Sequence, residues 1–417
     1  MTTTKNNEHK KLNVPNKQEQ NQTCWDSAER EGLRPKGNVP TLRFPEFQEE
    51  WDKCELGEFA TIIGGYAFKS ETLNSIGGKY QVVKMGNLYQ NQLDLHRSPS
   101  YTDTLTRKAE NVILRKDDIA ITLTGTNNKR DFGYTYIFND VKNLLLNQRC
   151  GLIRAKGNPY FLSCLLKTHT FLNQFFESAT GGTGNQANVS TKAMEMFSVN
   201  TPSLKEQEKI GQLMALLDER IATQSKIIED LKKLKSAISE NLFKEVKGDV
   251  VMLSEICEIS KGKQINGEFL SEKGKYYVMN GGTEPSGYYN NYNVEANTIS
   301  ISEGGNSCGY VQFNTSPFWS GGHCYTILEI ADNVDNLYLY HFLKSKENDI
   351  MKLRIGSGLP NIQKKDLAMF KIKIPTVEQQ KAISTFLSSL ERKTEIEERT
   401  QNAMQKEKQY LLRQMFI

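Results

Sequence analysis

Two stretches of this chain carry their apolar residues on a step that averages 3.5. After Pro202, alternating steps of four and three give Ile210, Met214, Leu217, Ile221, Gln224, Ile228, Leu231, Lys235, Ile238 and Leu242. Such spacing makes a narrow seam for a partner helix rather than the broader stripe of a helix lying on a core. No proline interrupts the segment, and Gly211 is its only glycine before Gly248. The pattern predicts one helix over 203–243, opened by Pro202, with Ser203 and Glu206 spaced as a capping box. At about 1.5 Å per residue it spans roughly 60 Å. After Pro375 the same step gives Ile383, Leu387, Leu390, Thr394, Glu397, Gln401, Met404, Lys408, Leu411 and Met415. Its ends are apolar and its middle polar, so this second helix is expected to pair with the first. Polar seam positions fix register at some cost in stability. An antiparallel coiled coil would place Gln224 beside Glu397, with all seam residues structural.

The two stretches are one sequence written twice. Met196–Pro202 reads against Met369–Pro375, an offset of 173 that then holds without a gap. Gln207 meets Gln380, Lys235 meets Lys408 and Phe243 meets Phe416. The repetition continues upstream more weakly. Leu56–Ile62 reads against Leu253–Ile259, Gly65 against Gly262, and Ile119–Thr122 against Ile299–Ser302. Cys150 meets Cys324, Lys167 meets Lys344, and Asn188-Val189 meets Asn361-Ile362. Here β-branched residues alternate with polar ones between glycine-rich turns, as in short strands. Helical pieces are expected around 159–177 and 336–351. A repeat this long means two copies of one unit. The predicted fold is α+β: two globular domains, at 41–200 and 247–374, separated by long helices at 201–246 and 375–417. Residues 1–40 are rich in Lys, Asn, Gln, Glu and Thr and read as a flexible arm.

Composition narrows the function only by exclusion. The 417 residues leave room for two or three domains, and 38% hydrophobic with 24% charged residues is ordinary for a soluble protein. A net charge of +4 does not by itself ask for nucleic acid. No stretch approaches the roughly 20 apolar residues of a membrane helix, and the N-terminus has no apolar signal core. No membrane association is expected. The seven cysteines (24, 54, 150, 164, 257, 308, 324) are scattered without a CxxC pair. That argues for a reducing cytoplasm and against a disulfide framework or zinc site.

Candidate chemistry sits in the loops. In the first domain these are Tyr66 and Lys69 after a glycine pair, then Thr126, Asn127, Asn128, Lys129 and Arg130, then Gln148 and Arg149, then Asn185 and Gln186. In the second they are Lys261, Lys263 and Gln264, then Tyr288, Tyr289 and Asn290, then Asn306 and Ser307, then His323 and Asn361. Asn and Gln can pair bidentately with adenine, and Arg and Lys with guanine. Glycines let backbone amides approach phosphates. Any one such loop reads more readily as a plain turn; matching loops in both domains shift the balance toward a binding surface. No GxxxxGK[ST] or HExxH motif occurs, and the five histidines are dispersed. His323-Cys324 is tempting as a catalytic pair, but neighbours on a strand point to opposite faces. Asn158-Pro159-Tyr160-Phe161 resembles an amino-methyltransferase motif without its second proline and reads as a helix start.

Taken together, residues 41–417 resemble the specificity subunit of type I restriction–modification systems. The resemblance rests on Leu42-Arg43-Phe44-Pro45-Glu46-Phe47 with Trp51 and Leu56-Gly57, on the loops ending Asn188-Val189 and Pro360-Asn361-Ile362, and on the proline-led helices at 202 and 375. The family relation implies a non-catalytic DNA-recognition subunit. Each domain would read one half of a bipartite target. The helices would separate the domains and bind two methyltransferase subunits. S-adenosylmethionine would sit on those partners, and ATP and magnesium on the restriction subunits. The arm over 1–40 is longer than such a domain needs. The competing readings are a stand-alone nuclease or methyltransferase, and a coiled-coil adaptor that does not touch DNA.

Overall fold

The computed structural model describes residues 37–181, 186–356 and 360–417, with the Asn127 side chain set aside. Residues 1–36 of the arm predicted over 1–40, and Asn185, therefore lie outside the described residues; within the arm's last four, Asn38 is held to the globular part, donating to the Asn200 side chain at 2.9 Å and accepting from the Trp51 amide at 2.8 Å. The chain divides into two compact units, one running to Glu219 and including Gln405–Ile417, the other spanning Arg220–Met404.

In the first unit, Asp52–Glu55 pairs antiparallel with Ser198–Thr201, which ties the two ends of the globular part together. Its main sheet has four antiparallel strands in the order Ala60–Gly64, Cys150–Ala155, Ile119–Thr122, Thr135–Ile137. A second sheet is mixed, with Tyr80–Val83 between Leu144–Leu146, which runs parallel to it, and Tyr101–Thr102, which runs antiparallel. The helices Pro159–Leu165 and His169–Glu177 follow the last strand of the main sheet. Asn158 caps the first of them by accepting from the Phe161 amide, so the Asn-Pro-Tyr-Phe run is a helix start.

The second unit repeats this plan. Asp249–Met252 pairs with Lys371–Ile374. The main sheet runs Glu258–Lys261, Cys324–Leu328, Thr298–Ser302, Val311–Asn314. Tyr276–Met279 lies between Tyr288–Tyr289 and a parallel Trp319–Ser320. Helices Asn336–Ser345 and Glu347–Met351 follow. Register repeats too: Thr122 lies opposite Cys150 and Ser302 opposite Cys324. The α+β expectation holds in both units.

The long helices are Leu204–Glu245 and Val377–Gln414. Every seam position of either helix is buried or half-buried, whereas Leu216, Ile227, Leu234 and Ile396, off the seam, are exposed. Contacts within each unit run antiparallel. In the second unit Gln224 donates to the Glu397 carboxylate at 2.6 Å, and Lys235 pairs with Glu391 at 2.7 Å. In the first unit Lys408 pairs with Asp218. The offset of 173 turns Lys235 into Lys408 and Asp218 into Glu391, so the two ion pairs are the same contact with the helices exchanged.

Each globular part rests on a helix through a repeated glutamine. Gln207 accepts from the Asn158 amide at 3.1 Å and donates to the Pro202 carbonyl at 2.8 Å. Gln380 accepts from the Asp335 amide at 2.8 Å and donates to the Pro375 carbonyl at 2.9 Å. Asn158 and Asp335 are the N-caps of matching helices, so one side chain closes both a helix start and a helix entry. Gly211 has its reason here as well: a Cβ there would lie 2.2 Å from Asn158 Oδ1. Phe416 stacks on Phe161 at 5.1 Å in the first unit, and its repeat Phe243 lies 5.2 Å from Phe342 in the second.

One expectation about the first helix is corrected. Glu206 does not reach back to Ser203 as a capping box. Its fully buried carboxylate receives two hydrogen bonds of 2.7 Å from the Arg43 guanidinium and faces the Trp51 indole N–H at 3.4 Å. A bidentate cation is a stronger partner for a buried carboxylate than a single backbone amide.

Candidate nucleic-acid interface

In each unit, three strands of the main sheet reach the same edge, and the candidate loops leave from it. In the first unit Gly64 lies opposite Gly151, and the adjoining Cys150 lies opposite Thr122. Just beyond them the Gly65 amide donates to the Cys150 carbonyl at 2.9 Å, and Tyr66 bridges Asn147. Leu123 donates to the Arg149 carbonyl, and Val189 donates to Leu123, each at 2.9 Å. The strand Thr124–Thr126 pairs with Gln186–Asn188. Tyr66, Gln148, Arg149, Thr126–Arg130 and Gln186 are thereby brought to one sheet end.

The second unit builds the same edge from Lys261, Cys324 and Ser302. Gly262 donates to the Cys324 carbonyl at 2.9 Å, the counterpart of Gly65. A Cβ at Gly65 would stand 2.0 Å from the Asn147 carbonyl oxygen, and one at Gly262 2.2 Å from that of Gly321. Only glycine permits these crossings. Ile362 donates to the Glu303 carbonyl at 2.8 Å, as Val189 does to Leu123. Asn361 bridges Gly304, beside the short helix Gly305–Ser307 that carries Asn306 and Ser307. Lys261, Lys263, Gln264, Asn306, Ser307, His323 and Asn361 gather at this edge.

Side chains within each group differ in how firmly they are held. Arg130 adopts a φ of 47° and lies 5.0 Å over the Phe176 ring. Asp131 accepts from the Thr126 amide at 2.6 Å and faces its hydroxyl at 3.3 Å. Asn128, Lys129, Gln148, Arg149 and Gln186 are exposed. Tyr66 packs edge-on against Phe68 at 4.9 Å. Lys69 lies in a neighbouring turn, 79% exposed and 3.7 Å from Glu71. Tyr289 packs edge-on against Trp319, whose indole donates to the Lys263 carbonyl. Tyr288 and Asn290 are exposed beside it on the Tyr276–Met279 hairpin. Asn185 and the Asn127 side chain lie outside the described residues.

His323 and Cys324 do not face each other. The thiol is buried with Met279, Val294 and Phe318, and burial pushes it up to about 11. The imidazole is 63% exposed, with Nδ1 3.6 Å from Glu303 Oε2. Burial also pushes the Cys150 thiol up to about 12, so neither repeated cysteine is a ready nucleophile. No group of three or more His, Cys, Asp or Glu residues suited to a metal ion occurs among the described residues. No described helix is long and apolar enough to cross a membrane.

Sequence reasoning missed the acid at the centre of the second edge. Glu303 is 6% exposed, and its Oε1 accepts from Lys261 Nζ at 2.6 Å and from the Tyr325 hydroxyl at 3.1 Å. Burial first, then Glu303, drives the Tyr325 phenol well above its usual range. A signal was available. Extending the Ile119–Thr122 to Ile299–Ser302 match by one residue sets Glu303 against Leu123, a charge where the other copy is apolar.

Comparison with known proteins bears on this arrangement. Residues 48–233 and 245–406 each match the family model of the type I restriction modification DNA specificity domain. A putative type I restriction enzyme specificity subunit of Methanocaldococcus jannaschii is 23% identical over 420 residues, covering 90% of this chain and 95% of that one. A putative type I specificity subunit of Mycoplasma pneumoniae is 34% identical over 158 residues, 37% of this chain and 40% of that one. The crystal structure of a type I restriction–modification S subunit from M. genitalium matches with a TM-score of 0.65 at 19% identity, over 91% of this chain and 99% of that one. At that identity the likeness speaks for a shared fold.

Proposed function

The chain belongs to the type I restriction–modification DNA specificity family, and on that premise we propose that it selects the DNA sequence on which a methyltransferase complex acts. Each globular domain reads one half of a bipartite, asymmetric target with the loops at its sheet edge. The long helices set the unread spacer and dock two methyltransferase subunits, through which restriction subunits join. The chain itself supplies recognition and no active site. S-adenosylmethionine serves the methyltransferase partners, ATP and magnesium serve the restriction subunits, and the assembly works in the cytoplasm.

One observation carries this reading. Two domains with the same strand order gather polar, basic and aromatic loops at the same sheet edge, yet the residues in those loops differ. Shared scaffold with unshared loops suits two readers of different half-sites, because base edges are told apart by side-chain donors and acceptors. The modest charge of +4 fits a division of labour in which partners supply much of the phosphate contact.

The test compares DNA affinity of the chain alone with that of its complex with methyltransferase subunits, at one fixed salt concentration. Weak and largely nonspecific binding alone, with tight specific binding in the complex, is expected. Equal, sequence-specific affinity in both would sink the division of labour. Methylation of DNA by the chain alone would replace it with an enzyme.

A further inference from the structure

We infer that Glu303 fixes the base preference of the second domain by holding Lys261 in place to read a guanine; the inference rests on the proposed DNA-reading role of that sheet edge. Glu303 is itself held rigidly. Its carbonyl accepts from the Ile362 amide at 2.8 Å and faces the Cys308 thiol at 3.1 Å, and its amide donates to His323 at 2.9 Å. Tyr325 donates to Glu303 Oε1 at 3.1 Å and lies 3.0 Å from the Ile362 carbonyl. A carboxylate fixed on both its backbone and its side chain cannot follow a partner, so the partner must come to it.

Lys261 does so at 2.6 Å, with its side chain half exposed. An ammonium group has three N–H donors. One is spent on Glu303 Oε1, which leaves two for a ligand at the half-exposed end of the side chain. In the major groove guanine offers two adjacent acceptors, N7 and O6, which a lysine can bridge. A free lysine on a flexible stem would meet any phosphate equally well. A tethered one discriminates. The other oxygen, Oε2, is buried and has no hydrogen bond, with His323 Nδ1 waiting at 3.6 Å. That distance exceeds a hydrogen bond, so a small movement of the exposed imidazole on binding would complete the pair and place His323 beside Lys261. The first domain has Leu123 in the equivalent position, buried and apolar, and so lacks this device.

The test is the methylated motif in cells that carry the chain with its methyltransferase partners, for wild type, Glu303→Gln, Lys261→Met and the double variant. Exchange of residues 247–374 identifies which half-site belongs to the second domain. That half-site is expected to contain a guanine. Both single variants should lose preference at that position by about 5- to 150-fold. The double variant should lose no more than either, and the other half-site should be unchanged. A second half-site without guanine overturns the inference, as does Glu303→Gln keeping the wild-type motif. If either single variant fails to fold, the double variant, which removes both charges of the pair and leaves no uncompensated carboxylate, decides; an unchanged motif there counts against the proposal. A wild-type chain that specifies no motif at all instead removes the DNA-reading role on which the inference stands.

Discussion

Arg43 and Glu206 form a bidentate pair whose side chains are 13% and 1% exposed. Glu206 raises the Arg43 guanidinium above its usual value, chiefly through the hydrogen bonds. Arg43→Met would leave a buried carboxylate uncompensated and should cost about 3–5 kcal/mol. Adding Glu206→Met should recover most of that loss in denaturant unfolding; a double variant no better than the single would show that packing of the arginine stem, not the charge, matters. His341 makes the second case. Burial holds its imidazole down at about 4, and Nε2 lies 2.9 Å from Ser388 Oγ. The folded chain therefore keeps it neutral while the unfolded chain takes up a proton near 6.5. Its contribution is complete above about pH 6.5 and is lost as pH falls toward 4, by about 3 kcal/mol in all. His341→Gln should flatten the stability profile across that window, and an identical slope would refute the assignment. The sequence displayed Arg43 within Leu42–Phe47 and placed Glu206 at a helix start, but a contact between residues 163 apart has no local signature.

The long helices were legible because a period of 3.5 leaves its mark on every seam residue, polar ones included. Gln224 and Glu397, the same residue of the repeat, do meet. The ion pairs Lys235–Glu391 and Lys408–Asp218 extend that reciprocity. Lys235→Glu should destabilise the chain by about 1 kcal/mol, since the pair is partly exposed. Pairing it with Glu391→Lys should restore the thermal midpoint. No recovery would mean that Tyr340, which also donates to Glu391 at 3.1 Å, sets the geometry instead. Strands were legible as alternating runs and helical pieces as turns late in each domain. The sheet order was not, because pairing Ile119–Thr122 with Cys150–Ala155 depends on long-range register that alternation leaves open. The loop candidates gathered at one edge only once that register was known, and Glu303 emerged from it.

At the scale of the whole chain, the repeat ties the architecture to the proposed function. Two domains with separate cores, each anchored by its own glutamine, can change independently. Helix length on this reading sets the unread spacer. Four residues inserted after both Gln224 and Glu397 keep the seam nearly in phase and add about 6 Å. DNA rises about 3.4 Å per base pair, so the methylated motif should gain one or two unread positions with both half-sites intact. A well-folded insertion variant with an unchanged spacer would show that something else sets the distance. The central claim, that each domain reads its own half of the target, is tested most directly by replacing residues 41–200 with the first domain of another family member and sequencing the methylated adenines. The account predicts a motif in which one half changes and the other half is retained. A change in both halves, or in neither, would contradict it.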